Sequence, residues 1–218
     1  MMSVQSGSDP LPVLVFDVGG VLLDWNPRYL YSQYFPGDPQ GMEHFLEEVD
    51  WFGWNLEQDA GRPFDEGIRL FSERYPERTG LIRAYDENYE VSVRGVIEGN
   101  VQLLDELHRA GYPMYVLSNW PYDRFLQMRP KFPFFDWFDG MVISGEVRMV
   151  KPDPRIFQIL LEKVGRPAGE CIFIDDVQVN IDAARALGFQ AILFTSPAQL
   201  RADLIKAGVR VPPIGVSG

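Results

Sequence analysis

The sequence is poor in the residues that build disulfide frameworks and zinc sites. Its one cysteine, Cys171, has no partner within the chain and begins an apolar run, so we expect a core residue in a reducing compartment. The two histidines, His44 and His108, lie in predicted helices with no metal-ligand spacing around them. Neither histidine is expected to belong to a functional site.

Basic residues are also scarce. Lys and Arg total 20 against 31 Asp and Glu, and the net charge of -11 opposes association with nucleic acid or an anionic membrane. The opening MMSVQSGSDP lacks the basic and apolar segments of a secretory signal, and no apolar run has transmembrane length. These features predict a cytoplasmic protein with neither nucleic acid nor a membrane as partner. They leave its oligomeric state open.

Short apolar runs alternate with helical patterns along the chain. Runs typical of buried strands occur at residues 13–16, 114–117, 141–143, 171–174 and 191–194. Helical patterns that stop before a glycine occur at 99–110, 154–164 and 179–187. Strand followed by helix, repeated, predicts an α/β fold with a parallel sheet flanked by helices.

Residues 27–96 break this alternation, because they contain helical stretches rich in Leu, Phe, Tyr and Trp and no strongly strand-like run. We therefore predict a discontinuous core domain, 11–26 and 97–208, with a helical cap inserted at 27–96. The ends, 1–10 and 209–218, are predicted to be flexible because the second is rich in Pro, Gly and Ser.

Chemically useful side chains follow the first two long strands of the predicted sheet. Asp17 comes directly after residues 13–16 and before a glycine-rich turn, which makes it a candidate nucleophile and metal ligand. Ser118 and Asn119 follow the second strand, where a hydroxyl, a carboxamide and backbone N–H groups can hold phosphate oxygens. Carboxyl ends of parallel strands share one edge of a sheet, so these groups are expected to converge.

Two further segments are expected at the same edge. Lys151 precedes a predicted helix start, where its ammonium could neutralise both a phosphate and an attacking carboxylate. Asp175 and Asp176 follow a buried strand and would offer oxygen ligands to a hard cation such as Mg2+, with Asn180 in support. Each segment alone also has a structural explanation, such as a helix cap or a turn, but four such placements in order favour one catalytic site.

The four segments FDVGGVL, VLSN, KPDP and IDD resemble the four motifs of the haloacid dehalogenase superfamily. The resemblance spans nearly the whole chain and implies a Rossmann-like core and a magnesium-dependent hydrolase. It implies Asp17 as nucleophile, Ser118 and Asn119 as phosphate-binding residues and Lys151 as the residue that stabilises charge. The metal would be held by Asp17, the backbone carbonyl of Gly19, and the pair Asp175 and Asp176.

The first motif departs from the pattern of most phosphatases in this superfamily. They carry a second Asp two residues after the nucleophile, which protonates the leaving oxygen and then activates water, whereas this chain has Gly19. The chain resembles a subgroup that contains the bacterial sugar-1-phosphatases and the N-terminal domain of soluble epoxide hydrolases. The former also use Asp-x-Gly, whereas the latter keep Asp-x-Asp, and an anomeric sugar oxygen needs less acid assistance. Asp24 is a possible substitute, although Asp24-Trp25-Asn26-Pro27 more strongly indicates a turn before a helix.

The resemblance therefore predicts a phosphatase that acts on a small phosphorylated metabolite, with a sugar phosphate as the expected substrate, through an aspartyl-phosphate. Two alternatives stay open: a 2-haloacid dehalogenase, and a phosphate-binding module without turnover. The paired Asp175 and Asp176 favour phosphoryl transfer over dehalogenation, which needs no metal. Cap aromatics are candidates either for the pocket wall or for the cap's own core, and they are Trp25, Trp51, Phe52 and Trp54.

Overall fold

The computed structural model describes residues 10–211, and a parallel sheet forms the centre of the fold. Its strands are β1 (Val13–Phe16), β4 (Met114–Ser118), β5 (Gly140–Ile143), β6 (Cys171–Asp175) and β7 (Gln190–Leu193), in the spatial order β5-β4-β1-β6-β7. Every neighbouring pair in this sheet is parallel. The predicted α/β fold with a Rossmann-like sheet is confirmed, and the strand ends differ from the predicted ones by one residue at most.

Helices cover both faces of this sheet because successive residues of a strand point to opposite sides. Leu14 and Phe16 of β1 belong to one apolar cluster, whereas Val13 and Val15 belong to another. The flanking helices are α6 (Glu98–Arg109), α7 (Tyr122–Met128), α8 (Ser144–Val147), α9 (Pro154–Val164), α10 (Gln178–Ala186) and α11 (Pro197–Lys206). Cys171 is fully buried in the second cluster, as expected.

The segment between β1 and α6 contains a helical unit closed by a small ribbon. Its helices are α1 (Arg28–Tyr31), α2 (Pro39–Glu48), α3 (Trp51–Asp59), α4 (Phe64–Arg74) and α5 (Thr79–Glu87). Strands β2 (Leu23–Trp25) and β3 (Val93–Val96) pair antiparallel on either side of them. Strand β3 lies within residues 27–96, where the sequence shows no strongly strand-like run. Gly95 interrupts its apolar pattern, and pairing with β2 gives the strand its order.

The register of the sheet determines where the functional residues lie along the strand direction. Phe16 pairs with Val116 of β4 on one side and with Ile174 of β6 on the other. The next residues along the chain are Asp17, directly after β1, and Asp175, the last residue of β6, and they therefore lie at the same edge of the sheet.

The two ends of the chain are described only in part. Of the segments predicted to be flexible, residues 1–9 and 212–218 lie outside the described residues. Val209, within the described part, is buried and its N–H donates to the carbonyl of Leu204. Between residues 10 and 211, no helix is both long and apolar enough to cross a membrane.

Candidate active site

Asp17 is held at the carboxyl end of β1 by its neighbours in the sheet. Its backbone N–H donates to the carbonyl of Ile174 at 2.9 Å, which continues the pairing with β6. Its Oδ1 accepts a hydrogen bond from the Val18 N–H at 2.7 Å, and the residue is 8% exposed. The carboxylate is thus fixed in orientation and opens onto a cavity rather than onto bulk solvent.

Lys151 lies between two carboxylates. Its Nζ is 3.0 Å from Asp17 Oδ1 and 2.6 Å from Asp175 Oδ2, and all three side chains are buried. Burial by itself favours the neutral amine, but the two carboxylates outweigh it and raise the pKa of Lys151 above its usual value. The lysine therefore stays charged and offsets part of the negative charge at the site.

Asn119 positions the segment that carries Lys151. Its Oδ1 accepts from the Lys151 N–H at 2.8 Å, and its Nδ2 donates to the Lys151 carbonyl at 3.1 Å. This reciprocal pair uses the carboxamide oxygen and one of the two Nδ2 hydrogens. Ser118 is buried beside the cavity, and its hydroxyl acts on Asp17 as a hydrogen-bond donor that favours the carboxylate.

Asp17, Asp175 and Asp176 form an acidic cluster. Each can offer one carboxylate oxygen such that these atoms all lie within 4.8 Å of one another. Asp175 is held in place by the Val177 N–H at 2.8 Å and by Asn180 Nδ2, which is 3.1 Å from both of its oxygens. Carboxylate oxygens at such separations are the ligands that a hard divalent cation prefers.

Gly20 gives the cluster the room it needs. A Cβ at Gly20 would stand 2.2 Å from Asp176 Oδ2, and Gly20 has φ +74, a backbone conformation that favours glycine. The absence of a side chain at this position therefore allows the Asp176 carboxylate to approach the loop after β1. Together with the donor chemistry, this close approach fits a magnesium ion held by the cluster.

The negative charges of the acidic cluster repel one another. Burial raises the pKa of Asp17 to about 7, Lys151 opposes the shift, and the charges of Asp175 and Asp176 add to it. Burial and the charge of Asp175 also raise the pKa of Asp176. Three carboxyl groups beside one ammonium leave an excess of negative charge, which a bound cation would neutralise.

A cavity of about 300 Å³ opens above Asp17, between the sheet edge and the helical segment. Of the cap aromatics, Trp25 and Phe52 line it, whereas Trp51 and Trp54 are buried in the interior of the helical unit, where Trp51 Nε1 donates to the Tyr31 hydroxyl. Two of the four aromatics thus form part of the pocket wall, and the other two form part of the core of the helical unit. Further lining residues on this side are Asn26, Arg28, Asn55, Asp59, Tyr89 and Val93.

Asp59 is a cavity residue that the sequence reasoning missed. It ends α3, is 8% exposed, and lines the same cavity as Asp17. The spacing of Trp51, Asn55 and Asp59, four residues apart, places them on one helical face. Asn55 and Asp59 share a helical face with Trp51, an apolar residue expected to be buried, and this pattern could have identified both polar residues from the sequence.

Asp24 has the structural role that its sequence context favoured. Its Oδ1 accepts a hydrogen bond from the Tyr29 hydroxyl at 2.7 Å, and it is absent from the cavity wall that the described residues form. His44 is exposed on α2, and His108 stacks on Trp137 with ring centroids 5.7 Å apart. Neither histidine lines the cavity.

The fold and the acidic cluster define the class of protein. A sequence model of the haloacid dehalogenase-like hydrolases matches residues 11–188, and the chain belongs to this family. The sesquiterpene phosphatase astK of Aspergillus oryzae is 29% identical over 189 residues, which cover 83% of this chain and 88% of that protein. The D-ribitol-5-phosphate phosphatase of Bacteroides thetaiotaomicron is 24% identical over 200 residues, covering 88% and 95%.

A solved structure shares the fold. The magnesium complex of a haloacid dehalogenase family enzyme from Bacteroides thetaiotaomicron superposes with a TM-score of 0.68 at 24% identity, over 90% of this chain and 98% of that chain. At this identity the likeness concerns the fold.

Proposed function

We propose that the protein is a magnesium-dependent phosphatase that hydrolyses a small phosphorylated metabolite through an aspartyl-phosphate on Asp17. The observation that carries the proposal is the geometry at the sheet edge. One buried carboxylate, Asp17, is 3.0 Å from the Lys151 ammonium and within 4.8 Å of oxygens of Asp175 and Asp176, at the floor of a cavity. The names of the two related phosphatases support the same class of reaction.

The metal would be held by Asp17, the backbone carbonyl of Gly19 and Asp176, with Asp175 supporting the site. When bound, Mg2+ supplies positive charge that reduces repulsion between the nucleophile and the phosphate. The hydrogen bonds from Val177 and Asn180 keep Asp175 in a fixed orientation for this role.

The chain's own groups account for the first displacement. An Asp17 carboxylate oxygen forms a bond to phosphorus while the bond to the leaving oxygen breaks, in line with the attack. Lys151 stabilises the charge that spreads over the phosphoryl oxygens, and Ser118 and Asn119 hold those oxygens in place. Water then attacks the phosphorus of the aspartyl-phosphate, which releases phosphate and regenerates Asp17.

A sugar phosphate is the proposed substrate class. A cavity of about 300 Å³ is of the size of small-ligand pockets. Its wall combines hydrogen-bonding side chains, such as Asn26 and Asn55, with the aromatic faces of Trp25 and Phe52. This mixture suits a ligand with hydroxyl groups and apolar ring faces.

The test is inorganic phosphate release from a panel of sugar phosphates and other phosphomonoesters, with Mg2+ and with EDTA. We expect turnover by the native protein that disappears in EDTA and in Asp17→Asn, because the amide cannot act as the nucleophile. Halide release from 2-haloacids is measured in parallel. Halide release without phosphate release would replace the proposal by dehalogenation, and phosphate binding without any release would replace it by a binding module.

A further inference from the structure

The proposed reaction leaves one proton unassigned. A leaving alkoxide needs a proton as its bond to phosphorus breaks, and the first motif has Gly19 where an acid would stand. The space beside Gly19 is open, because a Cβ added there would meet Trp25 Cβ at 4.0 Å and no nearer atom. A group elsewhere in the cavity is therefore the candidate donor of this proton.

Among residues 10–211, three carboxyl side chains line the cavity: those of Asp17, Asp59 and Asp176. Asp17 is the proposed nucleophile, and Asp176 belongs to the acidic cluster. Asp59 lies outside that cluster and comes from α3, in the helical segment between β1 and α6. It lines the same cavity as Asp17, and the leaving group of a phosphate bound at Asp17 would occupy that cavity.

Hydrogen bonds fix one oxygen of Asp59 and leave the other available. Asn55 Nδ2 donates to Asp59 Oδ2 at 3.1 Å, and the Tyr85 hydroxyl holds Asn55 by donating to its Oδ1 at 3.2 Å. Between residues 10 and 211, no donor is hydrogen-bonded to Asp59 Oδ1, and this oxygen is not among the buried atoms without a partner. Oδ1 is therefore the oxygen that the cavity can reach.

The backbone of Asp59 is hydrogen-bonded to the first residue of α8, the helix that follows β5. The Ser144 hydroxyl, at the start of α8, donates to the Asp59 carbonyl at 2.6 Å and accepts from the Trp120 N–H at 2.8 Å. Ser144 is fully buried, so this link is shielded from water. It fixes the end of α3 relative to the strand end that carries Ser118.

We propose that Asp59 is the general acid and base of this enzyme, an inference that rests on the phosphatase function proposed above. In the first displacement, Asp59 Oδ1–H gives its proton to the ester oxygen as that oxygen leaves phosphorus and Asp17 bonds to it. The products are an alcohol, the aspartyl-phosphate and the Asp59 carboxylate. In the second, the Asp59 carboxylate takes a proton from the attacking water, phosphate leaves Asp17, and both side chains return to their starting state.

The environment of Asp59 supplies the protonation state that this role needs. Burial raises the pKa of Asp59 to about 8, and the charge of Asp17 adds to the shift, while Lys151 and the Asn55 hydrogen bond oppose it. A carboxyl group with that pKa is mostly protonated at neutral pH. It is also close enough to neutrality to give and take a proton efficiently.

The test compares leaving groups in native protein and Asp59→Asn. Loss of an acid affects poor leaving groups selectively, so kcat/KM for an alkyl phosphate should fall by about 100- to 10,000-fold. For p-nitrophenyl phosphate, whose leaving group needs little protonation, kcat/KM should fall by less than about tenfold. Glu57→Gln, an exposed carboxylate change on the same helix, is the matched control and should leave both substrates unaffected.

Two further measurements test the role of Asp59. Gly19→Asp introduced into the Asp59→Asn protein should restore part of the alkyl phosphate activity, because the open space beside Gly19 can take the new carboxyl group. In the native protein, kcat/KM for the alkyl phosphate should decline as pH rises through about 8, and that for p-nitrophenyl phosphate should not. This profile needs no variant and so does not depend on Asp59→Asn folding.

An equal loss on both substrates, or no loss on either, would overturn the role of Asp59. So would an alkyl phosphate profile without the alkaline decline. If the native protein released no phosphate from either ester, the phosphatase function itself would fail, and that outcome is distinct from a failure of Asp59 alone.

Discussion

Gly20 illustrates how a residue without a side chain can determine metal binding. In Gly20→Ala the new Cβ would stand 2.2 Å from Asp176 Oδ2, and at φ +74 the alanine backbone is strained as well. The Asp176 carboxylate must then move away from the cluster. We expect Mg2+ affinity to fall by about 10- to 100-fold, the range seen when the support of a metal ligand is lost.

Titration calorimetry with Mg2+ measures this change, and Gly19→Ala is its matched control. That variant keeps the Gly19 carbonyl and brings a Cβ no nearer than 4.0 Å to Trp25 Cβ, so its affinity should change much less. Equal affinities in the native protein and Gly20→Ala would show that Asp176 is not a ligand.

Asp59 makes a second prediction at the residue scale, on stability. Its folded pKa is about 8 and its ordinary value is 3.8, so between these pH values the folded chain keeps a proton that the unfolded chain releases. The contribution of Asp59 to the free energy of unfolding is complete below about pH 4. It is lost progressively as pH rises from there through the folded pKa of about 8, by up to about 1.4 kcal/mol per pH unit.

Asp59→Asn removes this penalty, so the variant should gain stability relative to native protein as pH rises from 5 to 8. Urea unfolding of both proteins in EDTA measures the difference at each pH. The groups that face Asp59 are Asp17 and Lys151 from the sheet edge and Tyr85 and Tyr89 from the helical segment, and all of them are kept. A difference that does not change with pH would contradict the raised pKa of Asp59.

At the scale of elements, Ser144 links the end of α3 to the segment that follows β4. In Ser144→Ala the Asp59 carbonyl loses its donor and the Trp120 N–H loses its acceptor, both in a buried setting. Leaving such groups unpaired costs about 1–3 kcal/mol. We expect the free energy of unfolding to fall by that amount, and phosphate release to fall because the end of α3 is less firmly held.

Ser32→Ala provides the comparison for Ser144. Ser32 also donates its hydroxyl to a backbone carbonyl, that of Tyr29 at 3.1 Å, but it does so at the surface. Its loss should cost far less, since water can replace the donor. Equal losses in the two variants would mean that the buried link has no special part in joining α3 to α8.

At the scale of the whole molecule, the sheet and its functional edge were predictable from sequence because both depend on local patterns. A strand followed directly by Asp17 and another that ends in Asp175 must meet at one edge once the sheet is parallel. Lys151 follows the same logic, since it lies shortly before the start of α9, beside that edge. Periodicity and strand topology together therefore located this part of the candidate site.

The helical segment was less predictable because its features depend on contacts between distant residues. Strand β3 exists by pairing Val93 and Val96 with Trp25 and Leu23. Asp59 enters the cavity through the packing of α3 against α8, some 85 residues later in the sequence. The hydrogen bonds between the Asn119 side chain and the Lys151 backbone were likewise not predictable from the sequence, because they join residues that only the fold brings together.

The central claim is that Asp17 carries the phosphoryl group during turnover. The most direct measurement is to quench the reaction with acid under single-turnover conditions in Mg2+ and to find the phosphorylated peptide by mass spectrometry. We predict a phosphoryl group on Asp17 that forms and decays at rates consistent with phosphate release, and no such species in Asp17→Asn. Phosphate release without a phosphorylated Asp17 peptide, or undiminished release by Asp17→Asn, would contradict the account.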